Sequence, residues 1–306
     1  MPKPLPKKAA LATDALPSGF LKPAGKREGL ALKALDEDRL ADAAKHIAAL
    51  PQSPPESGAW KLYLYASLKL KSHDLPGAEA AFLQAASLAF IWAFSEQPVN
   101  IAIPYRLIAM ALESAGAVQR RGERATEAIA AHSAAYRLRI EHGSVDEQWQ
   151  SALSLGISHS LAKEHKTAMQ WLCRTLDFAS RAVDAREQKL AWTYAQMATS
   201  SSELGGSDEA ILAARKSLDH WRRHDISDAQ VAEAEYRLGE LLAALGEKKT
   251  VEEPHSAAAH LHEAIQCMRS AGLSLEAFGP AHQRTARICR DRLDFAEKLA
   301  ASLASD

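Results

Sequence analysis

The 306-residue sequence predicts an all-α protein: an α-solenoid of about five stacked helical hairpins behind an N-terminal capping helix pair. Three observations lead there. Alternating β-branched runs, the mark of half-buried strands, are missing. Ala, Leu, Glu, Lys and Arg dominate, and apolar residues recur at three and four, the period of one helix face. One spacing of small and large residues also returns along the chain, as in a repeat protein.

The elements follow in order. Residues 1–27, MPKPLPKKAALATDALPSGFLKPAGKR, carry six Lys/Arg against one Asp. The chain's formal charge is −1, so residues 28–306 carry −6. Proline and lysine leave little apolar area to offset ordering entropy, so a flexible basic arm is expected here. It holds no apolar run of signal-peptide length. Residues 28–306 are expected to form the solenoid. GLALKALDEDRLADAAKHIAALP, 29–51, reads as the capping pair, ended by PQSPPE at 51–56.

In the first hairpin Ala66 is followed by Ala78, Phe82 and Ala85, with HDLPG at 73–77 as the turn. Gly116 leads at the same intervals to Ala128, His132 and Ala135. Gly156 leads to Ala168, Leu172 and Thr175 across LAKEHK, and Ala198 to Ala210, Ala214 and Ser217 across LGGSD. Gly239 leads to Ala257, Leu261 and Ala264 only if the loop EKKTVEEPHS adds six residues. A small residue on one helix lets the small residue of the next approach, while the large one fills the space beside them. Such a hairpin cannot bury its apolar face alone, so neighbours must stack.

Successive starts from Gly116 lie 40, 42 and 41 residues apart, but Ala66 and Gly116 are separated by 50. An extra or extended helix including FIWAF is therefore expected within 88–112. The run AAFLQAASLAFIWAFS, 80–95, is sixteen uncharged residues, short for a bilayer span, and reads as a buried helix. The near-neutral charge points to no nucleic-acid or membrane partner. Cys173, Cys267 and Cys289 are too few and too scattered for a disulfide framework, which points to a cytoplasmic protein.

Small-x11-Ala-x3-large-x2-small, with LG at 155–156 and 238–239, resembles the tetratricopeptide repeat. Repeats of about forty-two residues resemble those of kinesin light chain. FGPAHQRTARICRDRLDFAEKLA, 278–300, is similar to the GPxH linker that opens such a repeat, and RLRIEHGSVDEQWQSALSLG, 137–156, is similar in layout. The resemblance implies a non-enzymatic scaffold for protein–protein interaction. In its most specific form, the bacterial kinesin light chains, it implies a cytoskeletal accessory whose protein partner is the bacterial tubulin filament.

The resemblance also implies a groove lined by the first helix of each hairpin. Counting from the small residue places Trp60, Tyr63, Glu113, Arg120, Gln150, Leu153, Trp192, Thr199, Glu233 and Tyr236 on that face, with Arg121 beside them. Of these, Trp60, Tyr63, Arg120, Arg121, Gln150, Trp192 and Tyr236 are the expected partner-binding residues, since aromatics and arginines anchor interfaces. The other reading is that Trp60 and Trp192 cover core edges. Where light chains use asparagine to hold an extended peptide, this chain has Ser154, Gln196 and Arg237, so a folded partner surface fits better.

The sequence also holds clusters of chemistry-bearing side chains. His159, His165 and Cys173 lie close in sequence, but six residues along a helix turns the two rings to different faces. His220 and His224 have the i, i+4 spacing of metal ligands, with Arg222 and Arg223 between them to repel a cation. His255, His260 and His262 cluster without the second histidine of a zincin. No GxGxxG, GxxxxGK[ST] or GxSxG occurs. The expectation is no catalytic residue, no metal and no cofactor. Two alternatives stay open: a sensor or regulator binding a peptide or small molecule in its groove, and a hydrolase accessory using the His255–His262 cluster.

Overall fold

A computed structural model of the chain describes residues 26–52, 55–95, 102–223, 228–279 and 282–304. These form thirteen α-helices, with no strand among them. The fold is the expected all-α solenoid of helical hairpins. It divides into two compact units, residues 1–171 and 172–306. The first holds the capping pair α1 (Lys26–Asp36) and α2 (Leu40–Ala48), and the hairpin α3 (Pro55–Lys71)–α4 (Leu75–Ser95). The hairpin α5 (Ala102–Arg121)–α6 (Ala125–His142), then α7 (Val145–Leu161) and the start of α8 (His165–Arg181), complete it. The second holds the rest of α8, α9 (Arg186–Glu203)–α10 (Ser207–Arg223), α11 (Asp228–Lys249)–α12 (Pro254–Ala277) and α13 (Gln283–Leu303).

Five of the hairpin turns share one construction. The second residue past the first helix has positive φ: Asp38 (53°), His73 (61°), Glu123 (60°), Lys163 (63°) and Gly205 (83°). Its N–H and the next one donate back to carbonyls three and five residues earlier, as His73 N does to Leu70 O and Asp74 N to Lys69 O. That satisfies carbonyls a helix end would otherwise leave bare. Of the five, only Gly205 takes the conformation without a steric cost.

The residues at the repeat spacing are all inside. Ala66, Ala78, Phe82, Ala85, Ala128, His132 and Ala135 have no exposed surface. Nor have Ala168, Leu172, Thr175, Ala210, Ala257, Leu261 and Ala264, and Ala198, Ala214 and Ser217 keep 5% or less. Gly116 shows why the first position must be small. A Cβ there would stand 2.6 Å from the ring carbon Cε1 of His132.

Three boundaries differ from expectation. HDLPG is not all turn: α4 starts at Leu75, with Pro76 and Gly77 in its first turn and Asp74 Oδ1 accepting the Gly77 N–H at 3.0 Å. A side-chain acceptor just before a helix is an N-cap, which holds this end in place. EKKTVEEPHS is not a ten-residue loop. α11 continues to Lys249 and Pro254 opens α12, where its missing N–H costs nothing. The lengthened pair shifts its contacts, so Leu261 packs on Gly246, and Met268 packs on Gly239. Finally, the basic segment gives up its last two residues to α1, where Arg27 Nη1 donates to Ala49 O at 3.1 Å. Residues 1–25 of the expected arm lie outside the described residues.

The gap in repeat spacing is filled by a helix extension. α4 has 21 residues, against 17 each for α8 and α10. Because it begins five residues before the uncharged run, Leu75–Phe94 is long and apolar enough to cross a membrane, by length and composition only. Of its apolar window 44% is buried inside the fold. Ala78, Ala81, Phe82, Ala85, Ala89 and Trp92 face the core, while Leu83, Phe90, Ile91 and Phe94 face outward.

Candidate functional site

In the first unit, α5, α6 and α7 enclose a polar cluster. Glu113 lies one turn before Gly116 on α5 and is 4% exposed. Arg139, two turns past His132 on α6, is 2% exposed and reaches Glu113 Oε2 with Nη1 at 3.0 Å. The same Nη1 donates to Glu147 O and Ser151 Oγ, each at 3.1 Å. Ser151 and Ser154, both on α7, donate to Glu113 at 2.7 and 2.5 Å. Glu147 closes a capping box with Ser144 at the start of α7 and takes Arg106 Nε at 3.0 Å. Burial alone would raise the Glu113 carboxyl, but Arg139 and the two serines outweigh it and hold it below the usual range. Burial instead lowers His132 to about 4, so its ring is neutral at pH 7.

Held by Arg139, Ser151 and Ser154, this buried carboxylate carries no proton at neutral pH. This cluster is a rigid floor. Arg120 and Arg121 end α5 half-buried, and Gln150 is half-buried on α7.

The expected aromatic anchors fare differently. Trp60 and Tyr63 are each 3% exposed and pack edge-on at 6.2 Å inside the α3–α4–α5 core, with Tyr63 OH 3.5 Å from Ser114 Oγ. Tyr236 is 8% exposed in the core of the second unit, and burial, with Glu240 beside it, raises its hydroxyl. These three rings are corrected from exposed anchors to packing residues, because the faces they occupy are filled by the neighbouring helices. Trp192 is half-buried and stands edge-to-face on Trp221 at 5.4 Å. Leu153 is 3% exposed, and Thr199 turns its hydroxyl back to Ala195 O.

The second unit offers a feature the spacing argument missed. Gln283, Arg284, Arg287 and Arg290 on α13, with Glu276 on α12, line an open depression of about 520 Å³. The three arginines, three residues apart along α13, are all exposed. Arg290 Nε meets Glu276 at 3.2 Å. Its mark in the sequence is RTARICRDR, 284–292, with arginines at intervals of three that one helix turn brings to neighbouring positions. In the first unit a depression of about 600 Å³ lies among α2, α3 and α4, lined by Ile47, Lys61, Leu62 and Tyr65.

Of the histidines the sequence singles out, His159, His220 and His262 each have an ordinary partner. His159 Nδ1 lies 2.7 Å from Glu164, and His165 opens α8. His220 Nδ1 meets Glu187 at 2.7 Å and stacks on Tyr194, while His224 lies outside the described residues. His262 Nε2 faces the Gln266 amide at 2.9 Å. Among the described residues, no three His, Cys, Asp or Glu side chains converge as metal ligands would.

No protein-family model matches the chain, and no curated protein matches it. Solved structures do. BtubC (BKLC) of P. vanneervenii has a TM-score of 0.57 at 17% identity, over 82% of this chain and 91% of its own. A Rap protein complexed with Competence and Sporulation Factor scores 0.54 at 12% identity, over 90% and 86%. A kinesin light chain from Podospora anserina with nearly identical TPR-like repeats scores 0.52 at 12% identity, over 70% and 96%. At these identities the likeness is one of fold, the tetratricopeptide-type solenoid that kinesin light chains share.

Proposed function

We propose that this tetratricopeptide-type solenoid, kinesin-light-chain-like in fold, is a non-enzymatic cytoplasmic scaffold that binds an acidic protein surface, most specifically that of bacterial tubulin filaments. The observation that carries the reading is the arginine row Arg284, Arg287 and Arg290 along an open depression. Exposed arginines on a near-neutral protein select an anionic partner, because guanidinium forks match carboxylates in pairs. The likeness to BtubC supports the filament as that partner. Arg120 and Arg121 on α5 add a second cationic site, and the basic arm of residues 1–27 would raise the association rate.

Co-sedimentation with assembled bacterial tubulin tests the reading. Arg284→Glu with Arg287→Glu should weaken pelleting about tenfold or more, and pelleting should fall with salt. Arg120→Ala with Arg121→Ala and a chain starting at Glu28 should weaken it less. If the intact protein stays in the supernatant at low salt with filaments in excess, the filament assignment is wrong. A second reading, a groove-binding sensor of peptides or small molecules, draws on the likeness to the Rap protein complexed with Competence and Sporulation Factor. It requires a small ligand that raises the melting temperature of the chain.

A further inference from the structure

The depression of about 600 Å³ among α2, α3 and α4 is a groove with fixed walls. Ile47, Leu62, Leu68 and Leu88 line it, and Tyr65, 41% exposed, gives it an aromatic ring. The walls are held close at Gly58, where a Cβ would stand 2.5 Å from Gln52 O and 2.8 Å from Leu88 Cδ2. Lys61 is the charged residue among the described lining residues, and its ammonium is already committed. It donates to Leu50 O at 2.7 Å and to Ala48 O at 3.3 Å. A volume in the ~300–1,000 Å³ range of ligand pockets seats a few apolar side chains, not a helix about 10 Å across.

We propose that the occupant of this groove is the chain's own segment 15–21, ALPSGFL, with Phe20 as its anchor. Three observations select it. The first is where the chain enters the fold. α1 begins at Lys26, and Arg27 Nη1 donates to Ala49 O at 3.1 Å. The start of α1 therefore lies one arginine side chain away from Ala48 and Gln52, which line the groove and are exposed. The second is reach. Phe20 precedes Lys26 by six residues, a span of up to about 20 Å. The third is chemistry. Residues 15–21 are uncharged between Asp14 and Lys22, and Phe20 is the one aromatic residue before Lys26. A phenylalanine beside Tyr65 gains more than its buried area alone would give. A groove without free charge cannot choose a distant partner by charge, and here the tether makes the choice. A short linker gives an effective concentration of ~1 mM, so a segment binding at only about 100 µM when free fills the groove about nine-tenths of the time. Lys3, Lys7 and Lys8 precede the docked segment, so docking sets where the arm's charge sits, whichever partner it meets. The contact lies in the first unit and is independent of the α13 arginine row used in the proposed function.

Chymotrypsin cleavage after Phe20 reads the docking, because a docked ring must leave the groove before the protease can take it. In the full chain that bond should be cut about tenfold more slowly than in a synthetic peptide of residues 1–27. Two substitutions at exposed lining residues should each restore the peptide's rate with helical circular dichroism unchanged. Ala48→Trp fills the groove from its rim, and Tyr65→Ala removes part of its wall. If one of them disturbs the fold, the other decides. Equal rates in the full chain and the peptide overturn the proposal, as does protection that survives the substitutions. Protection within one chain should be the same at about 1 and about 100 µM protein. Protection that appears only at the higher concentration would assign the groove to the segment of a second copy, and overturns docking within one chain.

Discussion

The hairpins α5–α6 and α11–α12 put different chemistry at matching repeat positions. In the first, one turn before the small residue and four and eleven past the second small residue, stand Glu113, His132 and Arg139. In the second, the same positions hold Tyr236, Leu261 and Met268. All six are buried. The repeat therefore specifies size and direction, and leaves polarity to the neighbours. α7 makes the charged version tolerable, because Ser151, Ser154 and the Glu147 carbonyl supply the hydrogen bonds that a buried ion pair needs. The second unit has a carboxylate nearby in Glu235, but it is paired with Arg222, whose side chain is 57% exposed, and with Ser270.

The comparison is broken most directly at the arginines. Arg139→Ala strands a buried carboxylate and should cost about 3–5 kcal/mol. Arg222→Ala, made at the surface, should cost under about 1 kcal/mol. Urea unfolding of both variants decides it, and equal losses would mean that burial does not separate the two pairs.

Packing gives the next largest effect. Gly116→Ala drives a Cβ into the His132 ring and should cost about 1–3 kcal/mol. Gly272→Ala on α12, where a Cβ would meet only Cys289 Sγ at 3.8 Å, should be neutral or stabilise by up to about 1 kcal/mol. Thermal melts of the pair should move in opposite directions or stay apart by several degrees.

Acid sharpens the comparison further. His132 sits at about 4 in the fold, below its unfolded value of 6.5, so the unfolded chain binds more protons between those limits. Stability should fall as pH drops through that window, by about 2 kcal/mol between pH 7 and 5. Glu113, held below its ordinary value, adds a loss in the same direction at lower pH. His132→Leu, the residue used at Leu172 and Leu261, should flatten the loss between pH 7 and 5. A slope unchanged in that variant would place the titrating group elsewhere.

The smallest effect belongs to the turns. Glu123 holds φ of 60° where the α9–α10 turn has Gly205. Glu123→Gly should stabilise by about 1 kcal/mol, and Gly205→Ala should cost a similar amount. Guanidinium midpoints of the two variants check both signs.

The spacing from Ala66 to Ala264 determined the all-α class, the hairpin count and the buried residue at each step, because close approach of two helices tolerates only small side chains. It could not say which side of a first helix would remain open. Trp60, Tyr63 and Tyr236 follow the groove spacing and are nevertheless packed inside, since burial depends on what the next helix brings against them. Helix lengths were illegible for the same reason. Extending α11 through Lys249 costs little locally, and only the seat of Leu261 on Gly246 makes the longer pair fit. The Glu113–Arg139 pair lies 26 residues apart, with its serines on a third helix, and no local pattern joins such partners. Sequence determined what must be small, apolar and helical, which are properties of one residue and its near neighbours. Tertiary structure decided which polar groups meet and which apolar face stays open, because both depend on helices distant in the chain.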